Sequence, residues 1–371
     1  MSHYSESLHS GSTIGLLGGG QLARMLALAA AELGFKTLVL SPEIDCPASQ
    51  ISTEHILASY EDQTALAHLL SVCNVITYEF ENLPLQIAQY IEQKSYLYPS
   101  SQILEISQDR VLEKQFLNDH GIRTAKWYAV HNRNSLIEGL SALGGSGLLK
   151  TRRFGYDGKH QIGLHHPSKE IIDKALIALD HQPLILEEIV PFLFEISVVS
   201  ASNPQKEHAF YDCCENQHRS GILYKTFVPS RASPMIQETA QEINAQIMDI
   251  LDYVGVLCVE FFVLADGSLL VNELAPRVHN SGHWTQKACT TSQFEQHIRS
   301  ICALPLGDTS RHSNCEMTNL LGMNLKDYQS FLRKKSTSVH LYGKTLVKPE
   351  RKMGHVIELT GPATQSSHAT E

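Results

Sequence analysis

The chain has 371 residues, 43% hydrophobic and 19% charged, with a formal net charge of −9. That mild acidity, with no compensating lysine and arginine cluster, argues against a nucleic-acid-binding face, and no stretch approaches the roughly 20 apolar residues needed to span a membrane. The opening MSHYSESLHS is polar and the eight cysteines show no CxxC spacing, so the chain reads as a cytoplasmic protein with reduced thiols, long enough for two or three domains.

Thr13–Leu17 reads as a short apolar strand, GGGQLARMLALAAAELG as a glycine turn opening a helix, Lys36–Leu40 as a strand, and Asn74–Tyr78 as another before Glu79-Phe80-Glu81-Asn82. This alternation predicts a doubly wound parallel sheet. Gly18, Gly20 and Ala23 match the loose form G-x-G-x-x-G/A, with Glu43 roughly 20 residues on. Its secure physical content is that glycines let backbone N–H groups approach an anion at the positive end of a helix. A phosphorylated ligand and a tight turn holding nothing fit this loop equally.

Further along, Gly147–Thr151 reads as a strand, Phe154-Gly155-Tyr156-Asp157-Gly158 as a turn and Lys159–Leu164 as a returning strand. Lys150, Lys159, Arg152 and Arg153 surround this hairpin with cations, which suits a loop closing over phosphates; a solvated basic hairpin is the plainer alternative. The apolar strand Pro183–Val190 follows at a spacing useful for an adenine edge.

The segment VGVLCVEFFVLADGSLLVNE, ending at Glu273, is two apolar strands joined by Asp266-Gly267, a strong hairpin signal. A two-residue loop pairs Ala265 with Ser268, Leu264 with Leu269, Val263 with Leu270, Phe262 with Val271, Phe261 with Asn272 and Glu260 with Glu273. Carboxylates set opposite each other repel, so an apolar hairpin that places them together holds something positive, and hard oxygen ligands favour magnesium completed by phosphates. An exposed edge pair is the alternative. The nineteen histidines include no HxxxH pair with an intervening glutamate and read as surface or structural residues.

Taken together, Lys150, the loop GYDGKHQ, the strand bearing Glu187, Glu188, Ile189 and Val190, then Glu195, and the paired Glu260 and Asn272-Glu273 resemble the ATP-grasp ligases. The run NELAPRVHNSGHWTQ, Asn272 to Gln286, is more specific. With GGGQL, ENQHRSGIL at 215–223 and YGKTLVKPERKMGH at 342–355, the chain is similar to the 5-(carboxyamino)imidazole ribonucleotide synthases of purine biosynthesis, from Ile14 to about Leu359.

The resemblance implies an α/β chain with the ATP-grasp fold: an N-terminal doubly wound parallel-sheet domain over 1–105, a small lobe with a glycine-rich lid over 106–185, a large lobe with the metal site over 186–310, and a small β-rich C-terminal segment over 311–371. It implies ATP-dependent carboxylation of 5-aminoimidazole ribonucleotide by bicarbonate through carboxyphosphate, with Mg2+ or Mn2+, in a homodimer. By matched motif, Arg110 and Lys150 touch ATP phosphates, the lid Gly155, Tyr156, Asp157, Gly158, Lys159, His160 and Gln161 covers them, and Glu187, Glu188, Ile189 and Val190 meet the adenine edge. Glu195 bonds the ribose, His218 lines the nucleotide pocket, Asn272 and Glu273 face ATP, and Glu260 with Glu273 holds the metal. Arg277 grips bicarbonate as the first catalytic residue, with Asp157 at the acceptor amine. Gly20, Gln21 and Leu22 carry the ribonucleotide phosphate with Lys344 and Arg351; Glu79 meets the ribose, and His279, Asn280 and Ser281 lie at the junction. His160 stands where the lid pattern has glycine. Other readings are a formate-dependent glycinamide ribonucleotide transformylase, a dinucleotide-dependent oxidoreductase using the first glycine loop, and a non-catalytic nucleotide sensor.

Overall fold

The computed structural model describes residues 6–155, 160–179 and 182–363. The lid residues Tyr156, Asp157, Gly158 and Lys159 lie outside the described residues.

The first sheet is parallel, with strands in the order Glu54–Leu57, Lys36–Ser41, Thr13–Leu17 and Val75–Tyr78. Its three inner strands are almost wholly apolar and buried, as expected of a sheet covered on both faces, while the edge strand Glu54–Leu57 is partly exposed. Thr13–Leu17 lies between strands that follow it in sequence, so the chain leaves it in one direction and returns to its other side. At that switch point the loops Gly18–Gly20 and Glu79–Asn82 emerge side by side, where open α/β sheets hold ligands. Gly18 has φ +104°, and a Cβ there would meet the Glu79 side chain at 2.6 Å, so the close approach of these two loops demands glycine.

The second sheet is antiparallel and has four strands in the order Trp127–Val130, Leu184–Glu187, Ser146–Thr151 and Gln161–His165. The third is the largest. Its order is Leu269–Ala275, Gly255–Val263, Phe194–Ser202, Cys214–Arg219, Ile222–Val228, Ser313–Leu321, Lys352–Pro362 and Thr337–Leu341, with His208–Phe210 added beside Phe194–Ser202. The C-terminal β-rich segment therefore continues the large sheet through pairs such as Val228 with Cys315. Helices Gln21–Glu32 and Gln293–Ile301 pack together over the core that joins it to the first sheet, around Trp284 and Tyr211.

The carboxylate hairpin differs from its expected register in an instructive way. Leu264 N donates to Ser268 O (2.9 Å), so the loop is the three residues 265–267, with Gly267 at φ +81°. Near the turn the pairs are one residue off expectation: Val263 with Leu269, Phe262 with Leu270, Phe261 with Val271. A bulge then leaves Asn272 unpaired and restores Glu260 opposite Glu273. Two features from elsewhere in the chain grip this bulge. Lys114 Nζ donates to Asn272 O (3.1 Å), and Val271 N donates to Arg123 O (2.8 Å).

Candidate active site

Strand periodicity sorts the residues of Gly255–Val263. Leu257, Val259, Phe261 and Val263 enter an apolar core, while Glu260 and Phe262 face a cavity of ≈ 560 Å³. That cavity lies between all three sheets. Of the residues assigned from the sequence, Gln21, Leu22, Glu79, Arg110, Lys150, Gly155, Gln161, Glu195, His218, Glu260, Asn272, Glu273, Arg277, His279 and Asn280 line it. Gly20, His160, Glu187, Glu188, Ile189, Val190, Ser281, Lys344 and Arg351 do not.

At the paired carboxylates, burial and then the Glu273 charge hold the Glu260 carboxyl well above the usual range. His279 reaches it, Nε2 to Oε1 3.4 Å, while His279 Nδ1 accepts from Ser281 N (3.3 Å). That acceptor role puts the imidazole proton on Nε2, aimed at Glu260. Burial keeps His279 neutral, with Arg277 adding to the effect. The pair retains like-charge repulsion that a divalent cation would relieve. Among the described residues no group of three His, Cys, Asp or Glu side chains could hold a metal ion, so the donor set fits a hard cation that also draws on phosphates and water.

The phosphate side is built on the helix Arg110–Asp119, whose first turn is capped by Asp109 accepting from Val111 N (3.0 Å). Arg110 lies 3.5 Å from Glu273 and donates to Gly155 O (3.3 Å), joining the paired carboxylates to the glycine-rich segment. Lys150 lines the cavity with its ammonium 3.0 Å from Glu187. Glu187 itself is 3% exposed, and Lys114 approaches the same oxygen, Oε2, at 3.6 Å. That buried oxygen thus faces two lysines. Glu188 is bound by backbone to Lys126, and Ile189 stands exposed. His160 adopts φ +58°, a left-handed conformation that glycine takes at no steric cost. His218 Nδ1 lies 2.5 Å from Glu195 Oε2; burial opposes the imidazolium, but the Glu195 bond and the nearby Glu260 carboxylate outweigh it and raise its pKa.

On the acceptor side Glu79 lies against the glycine turn, accepting from Gly20 N and from Ala23 N (3.0 Å). Lys344 donates to Lys352 O (2.8 Å); burial, then Arg351 nearby, brings its pKa down to about 8. Arg351 donates to Leu346 O (2.9 Å). Both cations belong to the C-terminal segment, whose Gly343 O accepts from Gln50 of the N-terminal sheet region (2.8 Å). Ser281 is fully buried behind the cavity, bound by Ser197 Oγ (2.7 Å), and Asn280 has both amide atoms buried without a partner.

Several site residues escaped the sequence reading. Glu81 takes the side edge of the Arg277 guanidinium, 2.5 Å from Nε and 2.8 Å from the second terminal nitrogen. Glu113 is buried and accepts from Leu274 N (3.2 Å); burial pushes its carboxyl up to about 8. Lys114 is 2% exposed. Phe192 stacks on Phe262 with centroids 4.7 Å apart, forming an apolar wall. Only Phe262 carried a readable signal, two residues from Glu260 on the same strand face.

Three family models divide the chain: a ribonucleotide synthetase preATP-grasp domain over residues 11–108, an ATP-grasp domain over 115–294, and a phosphoribosylaminoimidazole carboxylase C-terminal domain over 315–366. The chain is 49% identical to the N5-carboxyaminoimidazole ribonucleotide synthase of Brucella melitensis, over 95% of this chain and 98% of that one. It is 38% identical to the Bacillus subtilis enzyme of the same name, over 96% and 94%. Among solved structures it matches an N5-carboxyaminoimidazole ribonucleotide synthetase in complex with ADP, with TM-score 0.92, 41% identity, and 96% and 94% of the two chains covered. It also matches the Aspergillus clavatus synthase in complex with ADP and 5-aminoimidazole ribonucleotide, with TM-score 0.87, 29% identity, and 95% and 94% covered. This chain belongs to the N5-carboxyaminoimidazole ribonucleotide synthase family of ATP-grasp ligases.

Proposed function

We infer that this chain catalyses the ATP-dependent carboxylation of 5-aminoimidazole ribonucleotide in purine biosynthesis. The carbon comes from bicarbonate, Mg2+ accompanies the ATP, and the enzyme works in the cytoplasm as a homodimer. The observation that carries this reading is a single cavity in which the Glu260–Glu273 pair, Lys150 and Arg110 converge with Arg277, His279 and Asn280 and with Gln21 and Leu22, which follow the glycine turn of the first sheet.

Bicarbonate is a poor electrophile until one oxygen becomes a phosphate leaving group. A bicarbonate oxygen attacks the γ-phosphorus of ATP, the bond to the bridging oxygen of ADP breaks, and carboxyphosphate forms. The exocyclic amine of the ribonucleotide then attacks the carboxyl carbon, the C–O bond to phosphorus breaks, and phosphate leaves with the proton the nitrogen loses. Each step is chiefly one of positioning and charge neutralisation. Arg110 and Lys150 neutralise the ATP phosphates, and Phe192 with Phe262 walls the nucleotide pocket. Glu195 and His218 meet the ribose of ATP. Arg277 grips the bicarbonate and the carboxyphosphate, because a guanidinium matches a planar two-oxygen edge. Asn280 uses its two amide atoms to orient the acceptor, and Lys344 and Arg351 hold its phosphate near Gln21 and Leu22. Glu260, Glu273 and Asn272 would hold Mg2+, which when bound neutralises charge developing on the transferred phosphoryl group.

ADP release should require magnesium-ATP, bicarbonate and 5-aminoimidazole ribonucleotide together, each omitted in turn. Release with formate and glycinamide ribonucleotide instead would overturn the acceptor assignment and leave the ATP-binding half standing.

A further inference from the structure

The Arg277 guanidinium has five N–H groups, and the structure uses three of them. The Nε–H and one N–H of a terminal nitrogen go to the two Glu81 oxygens at 2.5 and 2.8 Å; the other terminal nitrogen donates to Val278 O at 3.1 Å. Among the described residues, one N–H on each terminal nitrogen remains, which is what a two-point grip on a planar oxyanion requires. Glu81 comes from the loop after strand Val75–Tyr78 of the first sheet, while Arg277 follows strand Leu269–Ala275 of the largest sheet. The two meet across 196 residues of sequence and both line the cavity.

We propose that Glu81 is the positioning residue for Arg277: it clamps the side edge of the guanidinium so that the remaining N–H pair faces the oxyanion. The proposal rests on Arg277 gripping bicarbonate. A guanidinium on a flexible stem loses several rotatable bonds of freedom when an anion orders it, and a carboxylate that orders it beforehand removes that cost from binding and from the transition state. Side-on pairing is the arrangement that permits this, since end-on pairing would consume the edge the substrate needs. Glu81 also lies two residues after Glu79, whose carboxylate bonds Gly20 and Ala23 at the glycine turn. One short loop thereby ties the acceptor side of the cavity to the bicarbonate side.

The test compares Glu81→Gln, Glu81→Asp and Arg277→Lys in steady-state assays with bicarbonate varied, alongside calorimetric binding of magnesium-ADP. Gln keeps the size of the side chain but presents an NH2 group to the guanidinium in place of one oxygen. Glu81→Gln should lower kcat/KM for bicarbonate about 10- to 100-fold, raise its KM, and leave ADP affinity within about twofold of the parent. Glu81→Asp, which keeps the charge but shortens the reach, should fall between parent and Gln. An unchanged bicarbonate KM in Glu81→Gln, with Arg277→Lys raising it, would overturn the positioning role alone. If Arg277→Lys also leaves the bicarbonate KM unchanged, the reading of Arg277 itself falls. Loss of ADP binding in Glu81→Gln together with activity would mean that Glu81 only holds the fold, and would refute the proposal.

Discussion

Replacing Glu187 by glutamine separates two accounts of one carboxylate. The motif places Glu187 on the strand that meets adenine, but the structure buries its side chain 3.0 Å from Lys150 and 3.6 Å from Lys114. Burial alone would push the carboxyl up; Lys114, Lys150 and Arg110 more than reverse this and hold it at about 2 in place of 4.5. At about 1.4 kcal/mol per pH unit, that depression corresponds to roughly 3 kcal/mol of stability at neutral pH. Breaking a buried pair by removing one partner costs about 3–5 kcal/mol by a separate line of reasoning, because it leaves cations buried without a counter-charge. The two figures agree. Since the folded value lies below the unfolded one, the contribution is fully present above 4.5 and disappears as pH falls toward 2, so the gap between parent and Glu187→Gln should narrow over that window. Urea unfolding midpoints at pH 7 and at stepwise lower pH measure it. Magnesium-ADP affinity should change by only a few-fold, because Glu187 itself does not line the cavity. A stability loss below about 1 kcal/mol combined with a large loss of ADP affinity would refute this account and return the carboxylate to the nucleotide.

Glu273→Gln should leave the unfolding midpoint unchanged and lower magnesium-dependent turnover roughly a hundredfold or more, since several kcal/mol of charge stabilisation depend on the pair; retained activity at ordinary magnesium would remove the metal assignment. Asn280→Ala should raise the KM for 5-aminoimidazole ribonucleotide about tenfold while costing less than about 1 kcal/mol of stability, because both amide atoms are already buried without partners; an equal loss in the unfolding midpoint would make Asn280 structural. Glu195→Gln should lower the pKa of His218, whose raised value depends on that carboxylate against the opposing effect of burial. The charged pair exists below the folded pKa and is lost as pH rises through it, so an imidazole NMR titration should show an earlier midpoint in the variant, and an unmoved midpoint would break the link.

Much of the fold was legible because its signals are local. The strand at Thr13–Leu17 lies where apolar periodicity puts it, and the strands at Lys36, Asn74 and Gly147 shift by one residue at an end. A two-residue turn pairs Glu260 with Glu273 only because two departures cancel: three residues turn, and a bulge at Asn272 makes up the difference. The presence of a turn is written in Asp266-Gly267, but the bulge is held by Lys114 from a distant helix, and no local rule carries that contact. The same limit hid Glu81, Glu113 and Lys114. Each is an ordinary charged residue in its own segment and acquires a role only through distant parts of the chain, 196 residues away for Glu81 with Arg277 and 158 for Lys114 with Asn272.

The charges at this site divide into two kinds, and the division explains how one cavity can hold two anions. Lys150 and Arg277, the cations assigned to ATP phosphate and to bicarbonate, each already hold a carboxylate of the chain, Glu187 and Glu81. An anion at Lys150 competes with Glu187, whereas Glu81 takes the side edge of Arg277 and leaves a separate N–H pair for its anion, so both grips are geometrically fixed. Glu260 and Glu273 are the opposite case: they face each other across the bulged hairpin, and burial raises the cost of charging Glu260. Closed pairs supply orientation, and the open pair supplies ligand dependence. Such a site binds strongly only when anion and cation arrive together, which is the behaviour the proposed carboxyphosphate chemistry requires if that intermediate is not to be hydrolysed before the amine is in place. Exchanging the two kinds makes the point testable by design: neutralising Glu187 should tighten phosphate binding without magnesium, whereas neutralising Glu273 should weaken it only when magnesium is present.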